Sequence, residues 1–468
     1  MIIVSSGFLI TISSASSSSC SQSISIFGTI STGSPSNYDF VFQTNGSGWY
    51  EATWPNGSVA YASTNASYVF NSALALGHNF LTLPGNYYLT SPILLNSNTV
   101  FVGSGIDSTN FEVAANVSTT MWYFNGIDYL TGLFDSMAGH NSNITLKGFT
   151  INGNTPTYQI GAGIWLENVD YFTLENVALN NIYGEGIIAN QENCSVYSNT
   201  NYVINNVETY GCGLMGGLNL CDTITLQSIS DFSITNTLVD VTGDAGIIVT
   251  NHPGGVDSTN GVVDNCQVYG SQNGNGTGQA GNWNFLFQHC QNVTVENCYS
   301  DVGYYENLGV AYCSNCIIQN FTSANSGAWG MLFYDDNNIT ANGLVSYNSG
   351  QIQPTGGLGI GIQDCSNCTF LNSQSYSNSL NGWLLTTATL GCVNNQFLNC
   401  TGINNAGDGI ALYNYGTETI CNDMTINGGI YSGNTYGIDI RINVTNTLIE
   451  NVSYGTGNSG ANLFQPSY

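Results

Sequence analysis

Four aspartates have the residue type and spacing for acid–base chemistry: Asp335, Asp336, Asp364 and Asp408. Asp335 and Asp364 each lie five residues after the glycine of a recurring motif in which glycine precedes apolar residues. If the repeats stack, these two carboxyl groups become neighbours, and like charges that close raise one pKa. Glycoside hydrolysis needs two carboxyl groups roughly 5 to 10 Å apart. The alternative remains open that each aspartate only forms a turn at a corner of the chain.

The segments around these aspartates belong to an internal repeat. Short stretches of alternating apolar and polar residues recur every 23 to 32 residues, and each reaches Asn or Gly at one fixed place. Alternation is the period of a β-strand. A second strand, in which Gly precedes apolar residues, lies between these stretches. The twelve fixed places are Gly148, Asn176, Asn206, Asn236, Asn265, Asn297, Asn320, Gly343, Asn372, Asn399, Gly428 and Asn451.

Two short strands per repeat, with no segment that reads as a crossover helix, predict a parallel β-helix of about 12 to 14 coils. We expect this solenoid to span residues 81–468. At the fixed places, Asn and Gly tolerate a left-handed corner, and stacked Asn amides form a ladder. We therefore expect Asn320, Asn399 and Asn451 to point inward, although each stands in an Asn-x-Ser/Thr sequon.

The chain has fourteen cysteines, and many of them keep the register of the repeat. One set lies seven residues before the Asn/Gly column, and another lies one residue after it. Stacked coils bring such residues within disulfide range, which makes Cys266–Cys298 and Cys290–Cys313 plausible pairs. A buried stack of free thiols fits the same spacing. The two CSNC segments also allow zinc, but their place in the repeat favours a structural role, and we predict no metal site and no cofactor.

The N-terminal part differs from the repeat. Residues 1–24 resemble a signal-like or anchoring segment without a basic start. Residues 25–80 read as strands or loops followed by an amphipathic helix over 60–77, which Ser63 or Thr64 would cap. Such a helix would cover the first coil. The C-terminal stretch shows no equivalent, and an open coil leaves unpaired strand edges. Either the tail folds over this coil or another subunit covers it, and the second case implies a homo-oligomer such as a trimer or a filament.

The composition excludes several partners. The chain has two Lys and Arg residues against 29 acidic residues, for a formal net charge of −27. Nucleic acid is bound through clusters of Lys and Arg, so we expect no nucleic-acid partner. No apolar stretch reaches the ~18 to 20 residues of a membrane span. Carboxylates lose their charge in acid, so the composition suits an acidic medium; an ordinary acidic secreted protein fits it as well.

Several N-terminal motifs resemble the right-handed, pectate-lyase-like β-helix superfamily: Pro84, Gly85 and Tyr87, then Pro92, Ile93 and Leu95, then Gly103 and Gly105. The resemblance implies a right-handed solenoid and a fold shared by lyases, hydrolases, epimerases, tailspikes and surface proteins. It implies no activity here, because the histidine and basic residues of the polygalacturonase pattern do not follow the DD at 335–336. The lone arginine, Arg441, could meet a sugar carboxylate or pair with Asp439.

Two functions fit the sequence, and we favour the first. The first is an extracellular, cell-surface or virion-surface glycoprotein, such as a tailspike or viral fibre, that binds glycans or builds a surface structure in acidic, hot surroundings. Its sugar-stacking rings would include Trp329, Tyr334, Trp383 and Tyr413. The second is an acid-active polysaccharide hydrolase or lyase that uses the four aspartates. Further sequons fall at Asn45, Asn56, Asn65, Asn116, Asn275 and Asn443, which are candidate glycosylation sites.

Overall fold

The computed structural model describes residues 35–115, 132–136, 139–154, 161–190, 199–213, 222–240, 243–252, 254–270, 283–352, 356–387, 391–413, 421–441 and 444–465. The predicted segment 1–24 lies outside these residues, as do Asn116, Asn275 and Asn443. Among the described residues, no helix has the length and apolarity that a bilayer span requires.

The chain begins with a one-turn helix, Pro35–Asn37, and three antiparallel strands, Phe40–Thr44, Tyr50–Thr53 and Val59–Ser63. The predicted helix is shorter than expected and spans Ala66–Leu74, because the residues before it form the third strand. Its cap is Asn65, whose side chain accepts a hydrogen bond from the Tyr68 amide, so the prediction of Ser63 or Thr64 was wrong. Val69, Phe70, Ala73 and Leu74 of the helix are buried, as expected.

The rest of the chain is a parallel solenoid with three sheet faces. Sheet I is a ladder of fourteen strands, one from each coil. Its strands are Ile93–Leu94, Gly132–Asp135, Ala162–Glu167, Glu185–Asn190, Ile224–Gln227, Ile247–Thr250, Trp283–Gln288, Glu306–Ala311, Met331–Tyr334, Ile360–Gln363, Trp383–Thr386, Ile410–Leu412, Ile438–Ile440 and Leu463–Phe464.

Sheet II follows sheet I along each coil and ends at the Asn/Gly column. It consists of Asn79–Thr82, Val100–Gly103, Ile229–Thr235, Val262–Asp264, Thr294–Glu296, Ile317–Gln319, Thr340–Asn342, Thr369–Leu371, Gln396–Leu398, Thr425–Asn427 and Leu448–Glu450. Three long strands pass through the corner and belong to both sheet II and sheet III: Asn141–Asn152, Val169–Asn180 and Asn199–Tyr210.

Sheet III returns the chain toward sheet I. Its strands are Gly85–Leu89, Thr109–Val113, Leu238–Asp240, Gln267–Tyr269, Tyr299–Asp301, Thr322–Ala324, Val345–Tyr347, Gln374–Tyr376, Thr401–Ile403 and Tyr431–Ser432. Four two-residue strands stack between sheets I and II: Ser258–Thr259, Cys290–Gln291, Cys421–Asn422 and Val444–Thr445. One continuous hydrophobic core fills the interior.

The Asn/Gly column is confirmed at all twelve places, each of which has positive φ. The amides form a ladder, for example from Asn320 Nδ2 to Asn297 Oδ1 at 3.0 Å. The predicted direction was wrong: Asn320, Asn399 and Asn451 are exposed, because the left-handed corner turns the side chain outward while the flanking strand residues fill the core. A second Asn column, which the sequence analysis missed, precedes sheet II, and Asn338 donates to Asn315 there at 2.7 Å.

Candidate functional site

The outer face of sheet I is the surface on which the chain concentrates large apolar and charged side chains. Its central column is largely apolar, although sheet register places these residues outside the core. The column runs through Trp165, Ile188, Thr225, Ile248, Leu286, Gly309, Leu332, Gly361, Leu384 and Ala411. Most of this apolar ribbon is buried, Trp165, Leu286 and Leu384 included, because neighbouring side chains such as Trp329 and Tyr413 pack over it. The accessible surface of this face is therefore formed by those covering side chains.

Two indole rings lie across this ribbon. A Cβ atom added to Gly361 would stand 2.9 Å from the six-membered ring of Trp329, and one added to Gly309 would stand 3.2 Å from Trp283. Each tryptophan therefore lies over a glycine of the next coil, where any other residue would displace it. Both rings are half-buried, so each is held in place and part of it remains accessible. The sequence analysis identified Trp329 but missed Trp283.

Near the C-terminal end of the apolar column, Asp408, Tyr413, Asp439 and Arg441 form a polar network. The Tyr413 hydroxyl donates to Asp408 Oδ2 and lies 3.1 Å from Asp439 Oδ2. Arg441 Nε donates to Asp439 Oδ2 at 2.9 Å, and the Arg441 guanidinium lies 4.0 Å from the centre of the Tyr413 ring. The arginine thus pairs with Asp439, one of the two roles the sequence allowed. Burial raises the pKa of Asp408, an effect that its bond from Tyr413 partly offsets.

A set of carboxyl groups lies along the edge of sheet I where its strands begin. Glu185 and Asp222 occupy equivalent places on adjacent coils, and Asp244 lies near Asp222 on the next. Burial, and then the charge of Asp222, raises the pKa of Asp244 to about 8. Burial raises the pKa of Asp222 to about 6 and that of Glu306 to about 7.

The predicted pair Asp335 and Asp364 is brought together, on adjacent coils of sheet I. The preceding residues Tyr334 and Gln363 are in register, and both aspartates have positive φ, at 54° and 56°. Desolvation and the nearby charge of Asp364 raise the pKa of Asp335. Asp364 is buried, and its Oδ1 accepts from the Gly391 amide at 3.2 Å. Each is therefore also a corner residue, the alternative that the sequence left open.

Asp336 does not belong to this pair. It points into the core, is 2% exposed, and accepts a bond from the Cys313 amide, while its Oδ2 has no hydrogen-bond partner. Burial raises its pKa well above the usual range. Asp408 lies two coils beyond Asp364, in the network with Tyr413. The four predicted catalytic aspartates therefore occupy three separate places.

The predicted stacking residues divide in the same way. Trp329, Tyr334 and Tyr413 lie on the outer face of sheet I and are half-buried. The prediction that Trp383 stacks on sugar rings is wrong. Its side chain is fully buried, and the indole nitrogen donates to Thr401 O at 2.8 Å. Its neighbours in register are Ile360 and Ile410, both core residues, so the strand places Trp383 on the inner side.

The cysteines form the expected columns. All eleven cysteines in the described residues are buried free thiols, which matches the alternative of a thiol stack. Cys266 contacts Cys298, and Cys290 contacts Cys313, through side-chain hydrogen bonds; the two disulfides stay a prediction. Asp336 takes the place of a cysteine in one column. In the described part of the chain, no group of three or more His, Cys, Asp or Glu residues is arranged to hold a metal ion.

Three of the candidate glycosylation sites can be located. Asn45 and Asn56 are exposed in turns between the N-terminal strands, where each side chain accepts a bond from a nearby backbone amide. Asn65 is half-buried and occupied as the helix cap, and it also accepts from the Thr90 hydroxyl at 2.9 Å. A glycan at Asn65 would compete with the cap.

No family model matches this sequence, and no curated protein matches it either. Solved structures do. Gene product 12 of bacteriophage phi29 is similar over 85% of this chain and 55% of its own, with 14% identity and a TM-score of 0.58. PfbA, a surface adhesin of Streptococcus pneumoniae, matches 76% of this chain and 90% of its own, with 14% identity and a TM-score of 0.53.

The A-module of the Azotobacter vinelandii mannuronan C-5 epimerase AlgE4 is similar over 86% of this chain and 93% of its own, with 14% identity and a TM-score of 0.51. The chain is a right-handed parallel β-helix. At these identities the likeness shows the fold alone, and the proteins that share it include a phage gene product, an adhesin and an epimerase. Function has to be argued from the side chains.

Proposed function

We propose that this chain is an extracellular or virion-surface protein that binds a polysaccharide or cell-surface glycan along the outer face of sheet I. The observation that carries the proposal is the pair of half-buried indoles, Trp283 and Trp329, fixed over Gly309 and Gly361. Aromatic rings held flat on a surface give sugar rings an apolar face to stack on. The two indoles are two coils apart, or about 10 Å along the axis.

The rest of the face supports the same ligand. Tyr334 and Tyr413 add rings beside the apolar ribbon, and carboxyl groups such as Glu306 supply acceptors for sugar hydroxyls. The similar structures include a protein that is a surface adhesin by its name and a gene product of a bacteriophage, which supports a role at a cell or virion surface. Acidic, hot surroundings belong to this proposal as well, supported on the acid side by the raised carboxyl pKa values at the edge of sheet I.

Binding to a panel of polysaccharides tests the proposal, with affinity electrophoresis as the readout. We expect Trp329→Ala to weaken binding of the retained glycan about fivefold to tenfold, because one stacked ring contributes about 1 kcal/mol. Trp49→Ala is the matched control, since Trp49 is an exposed tryptophan on the N-terminal strands, away from sheet I. Retention that is equal in both variants would place the ligand elsewhere, and no retention on any glycan would contradict the proposal.

A polysaccharide hydrolase or lyase is the second candidate, favoured by the Asp408–Tyr413–Asp439–Arg441 network. One carboxyl group has a raised pKa, while the other pairs with a guanidinium, and such contrast between neighbouring carboxyls is typical of acid–base pairs. Release of reducing ends from the same panel in acid tests this activity. It should vanish in Asp408→Asn if the network acts, or in Asp364→Asn if the corner pair acts. Wild-type protein that releases nothing leaves binding as the function.

A further inference from the structure

The outer face of sheet II has a regular column of small, stiff side chains. Twelve strands are in unbroken parallel register there, and none of the twelve residues is charged. Nine of them are β-branched. The column, called here the threonine column, is Thr145, Thr173, Val203, Ser233, Val262, Thr294, Ile317, Thr340, Thr369, Gln396, Thr425 and Leu448.

Several exposed aliphatic side chains of the protein lie in this one column. Val203 is 41% exposed, Val262 38%, Ile317 43% and Leu448 49%. β-branched side chains have few rotamers. A partner that covers them therefore causes only a small loss of side-chain conformational entropy. In a chain with a net charge of −27, an uncharged strip is also the place where a second acidic molecule can approach most closely.

We propose that the threonine column is a self-association surface on which two copies of this chain pack face to face with their long axes antiparallel. The partner is argued from three properties: the period of the surface, its area and the charges beside it. The column repeats at the strand spacing of about 4.8 Å. A second copy of the same sheet carries the same period over the same length, so each rung of one copy lies opposite a rung of the other.

The area suffices for a stable dimer. Twelve rungs span roughly 50 Å, and a strand with its two flanking corners is roughly 16 Å wide, which gives about 800 Å² on each copy. Standard protein–protein interfaces bury about 800 Å² per partner. A two-fold axis along the strand direction makes the contact isologous and closed.

The charges beside the column agree with this symmetry. The next outward column, two residues further along each strand, begins at Lys147 and ends at Glu450. A two-fold axis between the strands of Thr294 and Ile317 reverses its order. Lys147, which pairs with Glu175 of its own chain at 2.8 Å, then also faces Glu450 of the other copy. The remaining carboxylates then face amides. These pairs are Glu175 with Asn427, Asp264 with Asn342, and Glu296 with Gln319.

Sedimentation of the purified full chain tests this arrangement. We expect a dimer, and we expect Ile317→Lys to raise the dissociation constant roughly tenfold or more, the factor given by about 1.4 kcal/mol of repulsion and desolvation. Val393→Lys is the matched control: Val393 is 39% exposed and lies outside the column. Circular dichroism confirms that each variant keeps the fold.

The symmetry has its own test. Lys147→Glu should weaken the dimer, because a carboxylate then faces Glu450, and the double variant Lys147→Glu with Glu450→Lys should restore it. A wild-type chain that stays monomeric at its solubility limit overturns the proposal. So does a dimer that tolerates Ile317→Lys, since its interface then lies elsewhere, and so does a double variant that stays as weak as the single one. Glycan binding on sheet I is measured separately, so its failure would not be confused with this result.

Discussion

At the scale of single residues, Asp336 shows how a solenoid converts a sequence motif into an environment. The residues at its place on other coils are Cys290, Cys313, Cys365 and Cys392, all buried. A thiol is easily buried there because it behaves as a small apolar group, whereas the carboxyl group of Asp336 leaves one oxygen without a hydrogen-bond partner. Burial therefore holds the acid in its protonated form, because the ionised carboxylate would lose its hydration.

Asp336→Cys should stabilise the protein at neutral pH. It replaces a buried acid with the residue type of the column, and it removes the free-energy cost of keeping that carboxyl group protonated at a pH where the unfolded chain ionises it. We expect a higher melting temperature at pH 7 and a much smaller difference near pH 3, where the acid is protonated in both the folded and unfolded states. Asp231→Asn, at an exposed corner, is the control. A variant that is less stable than the wild type at pH 7 would contradict this explanation.

At the scale of elements, the corners of the coils determine where the strands begin and end. Asn320 has a φ of 52° and donates to Asn297, so it serves both the turn and the ladder. Gly343 takes the same place on the next coil with a φ of 68°. Because only the backbone conformation is common to both residues, the turn is the primary requirement, and the amide ladder is an added stabilisation.

This order of importance predicts different effects for two substitutions. Asn320→Ala should destabilise the protein by about 1 to 2 kcal/mol, because the Cβ atom of alanine is sterically disfavoured in the left-handed backbone conformation. Asn320→Gly should cost clearly less, since glycine accepts positive φ. Thermal or denaturant unfolding measures both. Equal losses in the two variants would show instead that the amide bond to Asn297 dominates.

At the scale of the whole molecule, burial and the scarcity of cations act together on stability. The pKa values of Asp222, Asp244 and Glu306 are raised to about 6, 8 and 7. A carboxyl group whose pKa is raised on folding contributes stability that is fully present below its unfolded value, near 4. That contribution is lost as the pH rises through the folded pKa. The protein should therefore be most stable in acid.

The melting temperature should fall between pH 4 and pH 8, the opposite of ordinary acid denaturation. Glu306→Gln should flatten this fall between about pH 4.5 and 7, a window that corresponds to at most about 3 kcal/mol. The variant should melt at a higher temperature than the wild type at pH 8 and at a similar temperature at pH 4. Glu112→Gln, at a partly exposed place on a strand of sheet III, serves as the control. A wild type that melts higher at pH 8 than at pH 4 would contradict the expectation.

The sequence by itself determined the coils, because strand alternation and corner chemistry are local and repeat along the chain. The twelve Asn/Gly places, the cysteine columns and the adjacency of Asp335 and Asp364 could all be counted from spacing. The tertiary structure decided which side of each element faces the core. Alternation has a period of two, so a one-residue offset moves a side chain to the opposite face. Trp383 points inward for this reason, whereas Asn320 points outward because of its left-handed corner conformation.

The candidate site also depends on the tertiary structure, because its residues come from different coils. Trp283 and Gly309 are distant in sequence, as are Asp408 and Asp439, and the varying loop lengths hide which residues will share a rung. Only the closed coils place an indole over a glycine, or Tyr413 between two carboxyl groups. Asp335 and Asp364 are neighbours on adjacent coils, as their spacing predicts. They are also turn residues, and the richer arrangement of aromatic and charged groups lies beside them on sheet I.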